Sequence, residues 1–148
     1  MARMKFPRLA ARGVIIEAGR LLLVNAYPGG QSDLWCAPGG GAEVGQSLLE
    51  TVAREVFEET GLRVEVGGLL GVNEFHRSDG SFHQVDLYFR TRITGGTLAM
   101  DDPEGIVNRY AWVTEAEMAG LRVKPDTLAQ MAFRGVETVY APLEEIVS

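Results

Sequence analysis

The stretch Gly39–Leu62, GGGAEVGQSLLETVAREVFEETGL, constrains this chain more than any other. Glycines cannot extend a helix stably, so Gly39–Gly45 reads as a loop. Ser47 followed by Glu50 is a capping-box pattern, and Gly61 suits the left-handed residue that ends a helix. A helix between them, at about 100° per residue, puts Glu55, Glu58 and Glu59 within roughly a quarter turn of one face. Leu49, Val52, Ala53, Val56 and Phe57 then lie on the other side, where they are expected to meet a core. Three carboxylates so close repel one another unless a cation sits among them. Hard oxygen donors of this kind suit Mg2+ or Mn2+. The bland alternative is a solvated acidic face.

The spacing goes further than a run of charge. Gly40, Arg54, Glu55, Val56, Glu58, Glu59, Gly61 and Leu62 stand in the register Gly, five residues, Glu, seven residues, Arg-Glu-apolar-any-Glu-Glu-any-Gly-apolar. This resembles the Nudix box of the MutT-like Nudix hydrolase family. Eight of the nine fixed positions agree, and the ninth departs, with Gln46 where the family has Glu. Six of the matches are single residue types, each found at roughly one position in fifteen, so coincidence does not account for them.

Composition limits the alternatives. The 148 residues suit one domain, with a core at about 9–133. A net charge of −6 argues against binding a nucleic-acid polymer. It also means that an anionic substrate needs a local cation. The lone Cys36 forms no internal disulfide and suits a reducing, cytoplasmic setting. The apolar run Val14–Ile16 is too short for a signal-peptide core, and nothing reaches membrane-spanning length.

In chain order, Leu9–Glu17 reads as a strand, Ala18-Gly19 as a tight turn and Leu21–Ala26 as a buried strand. Tyr27–Asp33 reads as a loop and Leu34–Ala37 as a short strand. After the helix, Arg63–Phe75 is a strand broken at Gly67-Gly68, and Ser78-Asp79-Gly80 is a turn. Phe82–Ile93 is the longest strand, with His83, Val85, Leu87 and Phe89 alternating against Gln84, Asp86, Tyr88 and Arg90. Gly95-Gly96 is expected to make a hairpin-like turn and Asn108–Val113 another strand. Thr114 caps a short helix through Ala119, and Asp126–Arg134 forms the last one. Such an order indicates a mixed sheet covered on both faces. The resemblance implies the Nudix fold, an α/β/α sandwich.

It also implies chemistry: Mg2+-dependent (or Mn2+-dependent) hydrolysis of the pyrophosphate linkage of a nucleoside diphosphate joined to another moiety, such as ADP-ribose, a nucleotide sugar or an NTP-like substrate. By resemblance, Glu55, Glu58 and Glu59 are metal ligands, with the carbonyl of Gly39 as a further one. Arg54 orients the glutamates without touching substrate. The catalytic set is Glu58, Glu59, Arg54 and a base that is either a box glutamate or Glu104 of the loop Asp101-Asp102-Pro103-Glu104, which otherwise reads as a solvated turn. Gln46 is expected to weaken one metal ion while activity is retained.

Substrate contacts are less marked. Tyr27, Phe75, Phe82 and Tyr88 are candidates for stacking on a base, although single aromatics in strands are commonly core. Arg77 or Arg90 is a candidate for a terminal phosphate. About sixteen residues beyond the box stands Arg77-Ser78-Asp79, so the Pro or Tyr that marks two subfamilies of similar proteins is absent. His76 and His83 are badly spaced for a zinc pair. A binder on the same fold that has lost turnover, and an acidic domain serving a protein partner, are the competing classes. A homodimer is common among similar proteins, but no residue here demonstrates one.

Overall fold

In the computed structural model, residues 5–25, 32–99, 109–134, 138–141 and 143–147 are described. Strand β1 (Arg8–Glu17) turns through Ala18 and Gly19 into β2 (Arg20–Asn25). Both turn residues have positive φ, 49° and 76°, as a two-residue hairpin turn demands. Short strands β3 (Trp35–Cys36) and β4 (Gly39–Gly41) lead to helix α1 (Leu48–Thr60). Two long strands follow, β5 (Leu62–His76) and β6 (His83–Gly96). After residue 109 come β7 (Tyr110–Val113), α2 (Glu115–Met118), α3 (Leu128–Arg134), β8 (Val139–Tyr140) and β9 (Glu144–Glu145).

The sheet runs β3-β2-β1-β6-β5-β8, with β4 paired to β1, β7 to β2 and β9 to β5. It is mixed: β1 lies parallel to β6, whereas β5 and β6 are antiparallel. Side chains alternate across it and build two cores. Ala11, Ile15, Leu22 and Phe89 meet Val52 and Val56 of α1 on one face. Val14, Leu21, Leu23 and Tyr88 meet Leu128, Met131 and Ala132 of α3 on the other. That is the expected α/β/α arrangement. It also explains why β2 reads as an unbroken apolar run, since both of its sides are covered.

Several expectations need correction. The glycines at 67–68 do not break β5; the strand passes them as a bulge, with its register slipping between Val66 and Leu69. Gly95-Gly96 makes no hairpin, because β6 continues to pair there with Arg63 and Leu62. Helix α1 has the predicted caps, both halves of the Ser47–Glu50 box and a left-handed Gly61. Its buried stripe, however, is rotated: Leu49 and Phe57 are about half exposed, while Glu59 is only 6% exposed. The rotation follows from where the chain before the helix crosses it, which is where the site begins.

Candidate active site

Strand β4 places Gly39–Gly41 against β1, with Arg12 paired to Gly39 and Ala10 to Gly41. Its other side faces the end of α1 that carries the glutamates. The buried Glu59 carboxylate accepts the Gly39 backbone N–H, with Oε1 at 3.1 Å. Glu55 lies directly over Gly40, where an added Cβ would come within 2.6 Å of its carboxyl carbon. Only glycine leaves room for that carboxylate, which is a physical reason for Gly40 at this point of the motif. Added at Gly39, a Cβ would instead strike the β1 backbone, 2.3 Å from the carbonyl oxygen of Ala11.

Arg54 ties the remaining groups together. Its Nη1 donates to Glu55 at 2.9 Å and to Glu58 at 3.3 Å. Nη2 donates to the Gly41 carbonyl at 3.3 Å and to Gln46 Oε1 at 3.1 Å, and Nε reaches the same oxygen at 3.3 Å. One planar fork thus links helix, loop and strand, as a lysine could not. Partial burial works against its charge, but Glu55, then Glu58 and Glu43, outweigh that and hold its pKa above the ordinary value. Gln46 is drawn in as an acceptor, since Thr51 also donates to Oε1 at 3.1 Å. An uncharged amide oxygen suffices for that task.

Whether a divalent cation suits these residues can be judged from the donors. Glu55, Glu58 and Glu59 supply only hard oxygens, crowded at a glycine cradle, which fits Mg2+ or Mn2+ rather than a thiophilic metal. Among the described residues, no three His, Cys, Asp or Glu side chains stand together closely enough to hold a metal ion as they are placed. The carboxylates rest instead on Arg54 and the Gly39 amide.

Beside this cluster, on the sheet face opposite α1, lies a cavity of about 350 Å³ lined by residues that include Arg8, Arg12, Cys36, Phe75, Gln84 and Asp86. Its Arg12 and Arg8 pack on the strand Gly39–Gly41 that the carboxylates hold. Arg12 packs against Gly39, its Nη1 donates to Ala37 O at 2.9 Å, and its Nε pairs with Asp86 at 3.5 Å. Burial disfavours the Arg12 charge, yet Asp86, followed by Cys36, Tyr88 and Glu59, outweighs it and raises the pKa. Burial likewise pushes the Cys36 thiol up to about 11, so it is neutral at ordinary pH.

The predicted substrate residues fare differently. Phe75 and Phe82 line the cavity; Tyr88 lines it too, but as a core side chain only 1% exposed. Arg77 lies in an adjoining hollow with His76, Phe82 and His83, away from the carboxylates. Arg90 is turned under α3, where it donates to the Met131 carbonyl at 3.1 Å and serves an open helix end. His76 and His83 face Glu145 and Glu74 respectively. Tyr27 and Glu104 lie outside the described residues. Sequence reasoning missed Arg8, Arg12, Gln84 and Asp86 as cavity residues. The signal was available in β6, where a polar series alternates with an apolar one in a sheet covered on both faces.

A family model described as the NUDIX domain matches residues 7–132. An "ADP-ribose pyrophosphatase" of Methanocaldococcus jannaschii is 33% identical over 96 residues, covering 65% of this chain and 57% of that protein. A "MutT-like protein" of Streptomyces ambofaciens is 36% identical over 112 residues, 75% of this chain and 66% of its own length. The mouse "Nucleoside diphosphate-linked moiety X motif 6" is 43% identical over 85 residues, 57% of this chain but only 25% of that protein. The chain therefore spans between a quarter and about two thirds of these relatives. Among solved structures, a NUDIX hydrolase from Nitrosomonas europaea superposes with a TM-score of 0.73 at 23% identity, covering 85% and 86% of the two chains. A structure titled UDP-X diphosphatase gives 0.70 at 23% identity, covering 97% and 70%. At that identity the likeness shows the fold.

Proposed function

The chain belongs to the NUDIX domain family, and from that premise we propose that it is a divalent-metal-dependent hydrolase of nucleoside diphosphates linked to a second moiety. One observation carries the reading: the strand Gly39–Gly41 is gripped by the box carboxylates on one side and packs on the other against Arg12 and Arg8, which line a nucleotide-sized cavity. A substrate lying in the cavity would turn its diphosphate past Arg8 and Arg12 towards the carboxylates. The relatives named ADP-ribose pyrophosphatase support an ADP-ribose-like or nucleotide-sugar substrate.

Glu55, Glu58 and Glu59, with the Gly39 carbonyl, would hold Mg2+ or Mn2+. When bound, such an ion neutralises phosphate charge and acidifies coordinated water. The chain's own residues do the rest. Arg54 fixes Glu55 and Glu58 in one arrangement, so that ligands need no reorganisation when substrate enters. Glu59 is fixed by the Gly39 amide in the same way. Glu58, the most exposed of the three, accepts a proton from the attacking water, and Glu104 is the alternative base. Arg8, exposed beside Gly41, supplies positive charge at the cavity mouth. Gln46 keeps Arg54 in place, so activity survives the loss of the family's Glu.

The test is product release from ADP-ribose, nucleotide sugars, dinucleoside polyphosphates and nucleoside triphosphates, with and without Mg2+. Cleavage of at least one diphosphate substrate is expected, with a fall of 100-fold or more in kcat for Glu55→Gln and Glu59→Gln. Equal turnover in those variants would end the proposal. Glu104→Gln separates the two bases: a large fall in kcat with unchanged KM assigns the proton to Glu104, and an unaltered rate assigns it to Glu58.

A further inference from the structure

The cavity floor is polar in a directed way. Gln84 is 8% exposed and Asp86 1% exposed, both on β6 and both lining the cavity. Gln84 Nε2 donates to Asp86 Oδ1 at 2.8 Å. Asp86 Oδ2 pairs with Arg12 at 3.5 Å, which identifies the carboxylate as an acceptor. A carboxylate can receive only the NH2 end of the amide, so the Gln84 side chain cannot flip. Its carbonyl oxygen is left with no donor among the described residues. Directly across the ladder from Gln84 stands Phe75, a partly exposed aromatic on the same cavity wall. Asn73 pairs with Asp86 in the same ladder, is fully buried, and has neither amide atom hydrogen-bonded among the described residues. Asn73 is sealed in the sheet, whereas Gln84 lines the cavity, so the Gln84 oxygen is the acceptor open to a donor on a ligand.

The geometry points to a specificity device: Gln84, locked by Asp86 and Arg12, selects a nucleobase carrying an exocyclic amino group, stacked on Phe75, over its oxo counterpart. This rests on the reading of the cavity as the nucleotide site and adds which bases it takes. An amino group donates to the fixed Gln84 oxygen. An oxo group in the same place sets two acceptors against each other, and neither can turn away.

Mononucleotides that exchange that amino group for an oxo group, with a proton gained on the adjacent ring nitrogen, test it without hydrolysis. Calorimetric titration of the full chain with AMP against IMP, and with CMP against UMP, is expected to show at least one amino member bound about tenfold tighter than its oxo partner. Gln84→Met, similar in volume but without the oxygen, should bring that ratio to about one. Equal or reversed affinities in the native chain, no binding of any of the four, or a ratio surviving Gln84→Met would overturn the inference. Should the variant not fold, the native AMP/IMP and CMP/UMP pairs decide alone. Hydrolysis with flat base affinities would sink this inference only, whereas base discrimination without hydrolysis of any substrate would sink the functional proposal.

Discussion

Gly39 and Gly40 are adjacent and chemically identical, yet what surrounds each predicts opposite consequences. A methyl group on Gly40 meets the end of a flexible Glu55 side chain, which can move aside. Gly40→Ala should therefore fold with nearly native stability but lose tenfold or more in kcat, because the displaced carboxylate no longer holds its place. A methyl group on Gly39 meets fixed β1 backbone. Gly39→Ala should lower the thermal midpoint by several degrees, and circular dichroism melts of the two variants check the contrast. Cys36 offers a titration. Burial raises its pKa to about 11 from an ordinary 9, so the folded chain keeps a proton that the unfolded chain releases first. Its contribution is complete below about pH 9 and is lost as pH rises towards 11. Denaturant titrations across that window should show stability falling more steeply in the native chain than in Cys36→Ala.

Among the elements, α1 contributes both the clustered carboxylates and part of a core, and its caps set where each begins. The Ser47 side chain accepts the Glu50 N–H at 3.0 Å, and Glu50 returns the bond to the Ser47 N–H. Ser47→Ala should cost about 1 kcal/mol, read as a lower denaturant midpoint with an unchanged slope. The cap was legible because it is a local pattern spanning four residues. The helix's orientation was not. Periodicity placed Leu49 and Phe57 inside, but β1 comes close along a different line: a Cβ on Gly13 would sit 3.2 Å from Val52 and 3.3 Å from Val56. That contact, together with the Glu59–Gly39 bond, turns the helix until Phe57 lies outside, under the Arg63 guanidinium. Strand β4 escaped notice for a related reason, since three glycines carry no side-chain alternation to read.

Across the whole molecule, 20 acidic against 14 basic side chains leave an acidic chain, on which any anionic ligand needs positive charge gathered locally. The carboxylates of the site nevertheless have partners within the protein, in Arg54 and the Gly39 amide. Chelation of divalent ions should accordingly abolish hydrolysis while shifting the unfolding midpoint by no more than a few degrees, a separation that paired activity and melting measurements resolve. Sequence alone determined the family, the α/β/α class and the acidic helix with both its caps, because each is written in spacings of a few residues along one segment. Only the tertiary structure decided that Arg12 of β1 and Gln84 and Asp86 of β6 meet in one cavity, and that Arg90 donates to α3. Those contacts depend on the register between strands some seventy residues apart, and a sheet covered on both faces turns a polar stripe that looks solvated into a buried cavity lining.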